Sequence, residues 1–409
     1  MPLTKRQIYR RRRIAVFGGV ALVLGAGFYL PFTLLAPLES VPAQLDAWTA
    51  PTPTEPAISF PGYGASGIGA VGYDGVLESA GVTTPLPIAS ISKVITTLVV
   101  LDSKPLTSVT DPGPSLTFSA IDEQFYADQL AVDGVVVDVR AGQQMSERNV
   151  LNLMLMVSAN NYAESFATWA FGTEAAYADA ANVWLKSHGF TDTVVHDATG
   201  TNPGNVSSVA NLIDIGKLAI ANPVIAQIVS TTTLDVPGIG VVENRNALVG
   251  IDGVDGIKTG TLDEAGSCLL FSADEKVGSE TITLVGVVLG GPDHPTVDEA
   301  VKTLIAGAVA GFHQVTLATK GEEFATWDTA WGDSANAVAE DDATAVIWSD
   351  TPVTVKIAAE QLRLAKRGST VGSLAFTAGN RTVTVPLTLD ATIDDPGAWW
   401  RLTNPAQLF

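Results

Sequence analysis

Residues 14–38, IAVFGGVALVLGAGFYLPFTLLAPL, contain no charged side chain. A helix that crosses the hydrocarbon core of a bilayer needs about 20 apolar residues. The run therefore predicts one membrane-spanning segment, and the remaining chain, from residue 39 onward, must fold as a separate body. The residues before it, MPLTKRQIYRRRR (1–13), hold six of the chain's 23 basic residues and no acidic one. Basic flanks stay on the cytoplasmic side, so 1–13 reads as a basic cytoplasmic tail and the body as exported. We read 14–38 as an anchor holding the protein to the membrane. A cleavable signal is the alternative, because Val41-Pro42-Ala43 supplies small residues for a cut.

The exported body carries 17 basic against 43 acidic residues, a net charge of −26. Such a surface repels nucleic acid, so no nucleic-acid partner is expected. With a single cysteine, Cys268, the fold has no intrachain disulfide and must rest on packing. The four histidines are scattered and form no H-E-x-x-H, so no metal is expected. At 409 residues the chain is long for one domain. Residues 39–58 are rich in Pro, Ala and Thr and read as a semi-extended linker. A first domain is expected over 59–316 and a small β-rich one over 317–409, where PVTVKIAA, GSLAFTAG and RTVTVPLTL are short, β-branched and separated by turn residues. Trp399 and Trp400 near the end of that domain are expected to be core or packing residues in preference to a binding platform.

Within the first domain, GIGAVG and GVLESAG flank Tyr73-Asp74 and predict a short hairpin. GYGASG (62–67) matches G-x-G-x-x-G but lacks the strand–turn–helix setting that a dinucleotide site requires. Apolar residues at 91, 94, 95, 98, 99 and 101 predict a helix over 88–101. GVVVDVRAG (134–142) reads as a strand, and SERNVLNLMLMV (146–157) as a helix capped by Ser146. Helices are also expected over 162–171, 175–190 and 296–312, with two strands at hairpin distance in GSCLLFSA and ETITLVGVVLGG.

Three short motifs carry chemistry. In IASISKVITTL, Ser90 and Lys93 are three residues apart and share one helix face, whereas Ser92 points elsewhere. A serine hydroxyl is a poor nucleophile until a base takes its proton. Lysine can serve as that base once burial, neighbouring cations or a helix N-terminus lower its pKa. Ser-x-x-Lys alone also fits a helix-start serine followed by a solvated lysine. Ser158-Ala159-Asn160 falls between two helical segments, although the same tripeptide recurs at 334–336. Lys258-Thr259-Gly260 occurs once, in a strand setting, and Gly260 would let a substrate backbone come close.

Taken together and in chain order, these motifs resemble the triple signature of the penicillin-recognising serine enzymes. PLPIASISKVITTL, VSANNYAESFA, DATGTNPGN and GVDGIKTGTLDEAGSCLLFSA narrow the resemblance to low-molecular-weight penicillin-binding proteins, the serine-type D-Ala-D-Ala carboxypeptidases, over roughly 65–315. The resemblance implies an α+β, β-lactamase/transpeptidase-like catalytic domain, an antiparallel sheet between helices, followed by a small all-β domain. It implies Ser90 as nucleophile, Lys93 as its base, and Ser158 as the relay of a proton to the leaving amine, with Lys258 keeping the local field positive. Asn160 would bind the substrate amide, and Thr259, beside Lys258, the terminal carboxylate. The backbone N–H groups of Ser90 and Thr261 would form the oxyanion hole, beside Gly260. The implied substrate is a peptidoglycan stem peptide ending in D-Ala-D-Ala. β-Lactams are implied covalent inhibitors, and no cofactor is implied.

The chain departs from the family in one respect. Members often carry an arginine after the strands that follow KTG, yet no arginine occurs between Arg245 and Arg363. Carboxylate recognition is therefore expected to rest on Lys258 and Thr259, with His294 read as a surface-loop residue in preference to a substitute for that arginine. Transpeptidase, endopeptidase and non-catalytic wall-binding scaffold readings share the same motifs. A class A β-lactamase is disfavoured because 190–205 contains no glutamate. A Ser-His-Asp hydrolase is disfavoured because no G-x-S-x-G occurs.

Overall fold

The computed structural model describes residues 4–51, 57–349 and 351–409. The first residues of the expected tail, 1–3, and the middle of the expected linker, 52–56, lie outside the described residues. The N-terminal helix α1 (Lys5–Leu34) is long and apolar enough to cross a membrane. It ends four residues short of the expected span. Pro31 lies in its last turn, and Thr33 donates back to Tyr29 O. The described residues divide into two compact units, one within 52–314 and 346–351, the other within 1–51, 315–345 and 352–409.

The larger unit is built on an antiparallel sheet. Its strands are β1 (Ala65–Ala70), β2 (Glu78–Gly81), β3 (Val254–Leu262), β4 (Gly266–Val277) and β5 (Glu280–Gly291), in the order β3-β4-β5-β1-β2. The expected hairpin is β1–β2, with Ala65 opposite Gly81. GYGASG runs straight into β1 and opens no helix. Successive side chains of a strand face opposite ways, and β4 is apolar on both faces. Leu269 and Phe271 pack on one side with helix-borne Val297, Val301 and Leu304, while Cys268 and Leu270 pack on the other with Val94, Ile95 and Leu212. A sheet apolar on both faces must be covered on both. The covering helices are α2 (Ser92–Ser103), α3 (Ala120–Ala131), α4 (Glu147–Leu155), α5 (Asn160–Phe171), α6 (Glu174–Ser187), α7 (Val209–Ala221), α8 (Pro223–Val229) and α9 (His294–Gly311). Helix α2 lies deepest, with every residue from Ser92 to Leu101 buried.

Ser146 caps α4 as expected, accepting from Asn149 N at 3.3 Å. The strand expected over 134–142 does not form. Asn161 binds both Val137 N and Val137 O, Tyr162 Oη donates to Asp138 O at 3.0 Å, and Asn160 N donates to Val135 O at 2.7 Å. The segment's backbone is thus satisfied by the start of α5 and needs no neighbouring strand.

The smaller unit holds a six-stranded antiparallel sheet. It comprises Gln44–Leu45, β6 (Glu323–Asp328), β7 (Ser334–Ala339), β8 (Val353–Ala359), β9 (Thr370–Ala378) and β10 (Arg381–Leu389), ordered Gln44–Leu45, β6, β7, β10, β9, β8. The expected linker is therefore not a free spacer throughout. Gln44 pairs with Thr326, and Val41 bridges Leu362. A short helix, α10 (Gly397–Thr403), carries Trp400 against Trp331 but leaves Trp399 79% exposed, against the expectation that both tryptophans are core or packing residues.

Candidate active site

Ser90 sits in the 3₁₀ turn Ala89–Ile91 that leads into α2, one turn before Lys93. Lys93 is fully buried. Its Nζ lies 2.8 Å from Ser90 Oγ, 2.7 Å from Asn160 Oδ1 and 2.7 Å from Thr199 O. A neutral amine has two N–H groups and one lone pair. Two of these three neighbours are carbonyl oxygens, which can only accept, so the lone pair is left facing the serine hydroxyl. Burial pushes the Lys93 pKa down to about 7, with Arg245 assisting and Asp197 and Glu164 opposing. Ser92 is held elsewhere: its Oγ donates to Ala89 O at 2.8 Å and accepts from Asn205 Nδ2 at 3.0 Å.

Ser158 lies in the turn between α4 and α5 with φ +68°, and it lines the same cleft as Ser90. Asn160 occupies the first turn of α5 and is 4% exposed. Its Oδ1 accepts from Lys93 and its Nδ2 donates to Gln129 Oε1 at 2.7 Å. The amide expected to face substrate is thus engaged inside the protein on both of its ends. Lys258, Thr259 and Gly260 lie on β3, the edge strand of the sheet. Lys258 is 1% exposed, and its Nζ donates to Thr259 O at 3.1 Å. Burial, then Lys93 and Arg245, push its pKa well below the usual lysine value. A Cβ on Gly260 would meet Ile88 O at 3.1 Å and Ser90 N at 3.3 Å. The glycine therefore makes room for the turn that carries Ser90, rather than only for a substrate backbone.

The cleft, about 160 Å³, is lined by Ser90, Ser158, Arg245, Thr259, Thr261 and His294 among others. Two of these correct the sequence expectations. His294 is not a surface-loop residue. It opens α9 behind the N-cap Asp293, and its Nε2 lies 2.8 Å from Thr261 Oγ1. Burial, with help from Arg245 and Lys258, holds its imidazole below the ordinary value against the pull of Asp298 and Asp293. Arg245 brings to the cleft the guanidinium that the stretch downstream of KTG lacks. It enters from the chain ahead of β3, where Arg245 N donates to Met156 O at 3.0 Å. A signal was present in the sequence, since Arg245 is the one arginine between Arg148 and Arg363.

A serine hydroxyl within hydrogen-bond reach of a buried lysine of lowered pKa, in a cleft at a sheet edge, is an arrangement suited to nucleophilic acyl transfer. The chain belongs to the D-alanyl-D-alanine carboxypeptidase family, whose sequence signature matches residues 73–293. It is similar to a D-alanyl-D-alanine endopeptidase of Pseudomonas aeruginosa, 32% identical over 204 residues, or 48% of this chain and 62% of that protein. It is also similar to a D-alanyl-D-alanine carboxypeptidase of Escherichia coli, 28% identical over 203 residues, or 49% of each chain. The matched region thus spans less than two thirds of the length of these relatives. Among solved structures, penicillin-binding protein 5 from Haemophilus influenzae shares the fold at TM-score 0.57 and 21% identity, covering 85% of this chain and all of that one.

Proposed function

We propose that the protein is a serine D,D-peptidase that removes the terminal D-alanine from peptidoglycan stem peptides through an acyl-enzyme. The observation that carries this reading is the Ser90–Lys93 contact at 2.8 Å, with two carbonyl oxygens holding the other vertices of the amine. Lys93 accepts the Ser90 proton as Oγ attacks the carbonyl between the two D-alanines. The N–H groups of Ser90 and Thr261 receive the developing oxyanion, a contribution of roughly 3 kcal/mol per donor. Lys93 gives that proton up through Ser158, in the field of Lys258, to the departing amine, which leaves the lysine neutral again. Arg245 and Thr259 hold the terminal carboxylate. Water then attacks the ester and releases the shortened peptide. Penicillins, which carry a strained amide beside a carboxylate, acylate the same serine.

A second reading is favoured by the relatives: the Pseudomonas aeruginosa protein is an endopeptidase. Cleavage of a D-Ala–diaminoacyl cross-link would use the same acylation step with a longer leaving group. Labelling by a fluorescent penicillin should be lost in Ser90→Ala and kept in Ser92→Ala, and equal labelling of Ser90→Ala overturns the nucleophile assignment. D-Alanine release from a pentapeptide, set against cleavage of a cross-linked muropeptide dimer, separates the two readings. Neither product, with labelling intact, would leave a scaffold or a transpeptidase.

We also infer that α1 is retained as an anchor with the peptidase unit outside the membrane. Support comes from the end of α1, which is tied into the smaller unit. Tyr29 Oη donates to Leu402 O at 2.6 Å, Phe32 stacks on Phe409 at 4.5 Å, and Arg401 Nη1 donates to Ala36 O at 2.6 Å. A cut after Ala43 would strip these contacts away. N-terminal sequencing of protein from the membrane fraction should therefore recover the uncut chain.

A further inference from the structure

The base of the proposed peptidase is itself held by a buried relay that no motif describes. Asn160 Nδ2 donates to Gln129 Oε1 at 2.7 Å, and Gln129 Nε2 donates to Glu164 Oε1 at 2.9 Å. Gln129 lies on α3, while Asn160 and Glu164 lie one turn apart on α5. Gln129 is 7% exposed and Glu164 8%. Gly134 closes over the pair: a Cβ there would come 2.7 Å from Gln129 Oε1 and 2.9 Å from Asn160 Nδ2.

A side-chain amide can present either its oxygen or its nitrogen to a neighbour. Were Asn160 reversed, its N–H would point at Lys93 and claim the lone pair that must receive the Ser90 proton. Gln129 prevents this by offering Asn160 an acceptor. Gln129 is kept in that orientation because Glu164 Oε1 accepts from its Nε2. We propose that Gln129 and Glu164 are positioning residues that lock the Asn160 carbonyl oxygen toward Lys93, leaving the lysine lone pair aimed at Ser90. This rests on the reading of Ser90 and Lys93 as nucleophile and base.

The relay also carries charge. Glu164 acts on Lys93 from α5, Asp197 from the loop before α7 and Arg245 from the cleft side, and Lys93 in turn acts on Lys258. Glu164 in turn faces Gln129, Glu174, Asp197 and Lys93, and burial first among these influences lifts its carboxyl to about 7. Removing its negative charge makes Lys93 easier to deprotonate.

The test measures acylation by a fluorescent penicillin across the neutral pH range, together with a direct NMR titration of the Lys93 ammonium, which needs no substrate. Gln129→Leu should slow acylation by at least about tenfold, as expected for one misdirected hydrogen bond. Gln129→Glu should restore most of the rate, because a protonated carboxyl there can still accept from Asn160 and donate to Glu164. Glu164→Gln keeps an acceptor oxygen but loses the charge, so its acid limb and its Lys93 titration should move to lower pH. Equal loss in Gln129→Leu and Gln129→Glu would reduce Gln129 to packing and overturn the proposal. So would an unmoved Lys93 titration in Glu164→Gln. Were the wild type to resist penicillin while Glu164→Gln moved the Lys93 titration as stated, the peptidase reading would fall and the relay would stand.

Discussion

Acylation should switch on with the deprotonation of Lys93. A lysine at the ordinary value of 10.5 leaves only about one molecule in 3,000 neutral near pH 7, whereas one at about 7 leaves half. The difference is worth about 5 kcal/mol in base availability. Burial supplies most of it, since α2 is enclosed on all sides and Arg245 adds a like charge. The second-order rate of acylation, measured by stopped-flow fluorescence, should fall about tenfold per pH unit below about 6 and level off above about 8. The Arg245→Gln protein provides a signed check. Arg245 depresses Lys93, so its removal should carry the acid limb to higher pH, whatever it does to the height of the plateau. A rate still climbing beyond about pH 9 would mean an ordinary, solvated lysine. A rate flat down to about pH 5 would mean that Lys93 is not the base. Either result refutes the reasoning.

Particular contacts lead to three further outcomes. Gly200 has φ +87°, and a Cβ there would lie 1.9 Å from Ala89 O and 2.9 Å from Ser90 N. Gly200→Ala should push the nucleophile turn aside and cut penicillin acylation about 100-fold, the scale of a 1 Å misplacement, while circular dichroism stays that of the wild type. Both carboxylate oxygens of Glu147 are buried with no hydrogen-bond partner among the described residues, and burial lifts its pKa from 4.5 to about 7, with Asp111 adding and Lys104 opposing. Folded Glu147 therefore binds more protons than unfolded Glu147 between those values, so its penalty grows as pH rises through the window and is full above it. Glu147→Gln should gain about 1–3 kcal/mol in thermal or urea unfolding above about pH 8. The same gain below about pH 4 would contradict this. Arg245→Lys should raise KM for a D-Ala-D-Ala peptide about tenfold with little change in kcat, since a lysine in this cleft sheds charge and lacks the bidentate fork; an unchanged KM would remove Arg245 from carboxylate recognition.

How much of the site was legible depended on whether its geometry is local. The Ser90–Lys93 spacing is a property of one helical turn, and the apolar residues around it announce burial. The strand setting of Lys258-Thr259-Gly260 was suggested by the residues on either side, while its edge position follows from the sheet order. The misread segment 134–142 alternates like a strand, but its hydrogen-bond partners are Asn160, Asn161 and Tyr162 of α5, which local alternation cannot reveal. His294 sits in a Pro-rich stretch, and only the capped start of α9 turns it toward Thr261. Arg245 and Gln129 reach the site from segments 152 and 36 residues away from Lys93 in the chain. Such long-range approaches are decided by packing of the sheet and helices, not by any periodicity.

The cleft gathers Lys93, Lys258 and Arg245 inside a protein with a net charge of −20. Crowding cations in a buried site is costly, and the costs fall unequally. Lysines can relieve the strain through a lowered pKa, and burial and neighbouring cations lower both here, Lys93 to about 7. An arginine keeps its charge under the same pressure. The division of labour comes from that difference. Arg245 can hold an anionic substrate terminus without giving up charge, and its field helps keep Lys93 neutral before substrate arrives. On the proposed mechanism, an arriving carboxylate would partly cancel that field and make Lys93 more basic as it draws the proton from Ser90. Asn160 then matters less as a contact for substrate than as the carbonyl that keeps the Lys93 lone pair on target.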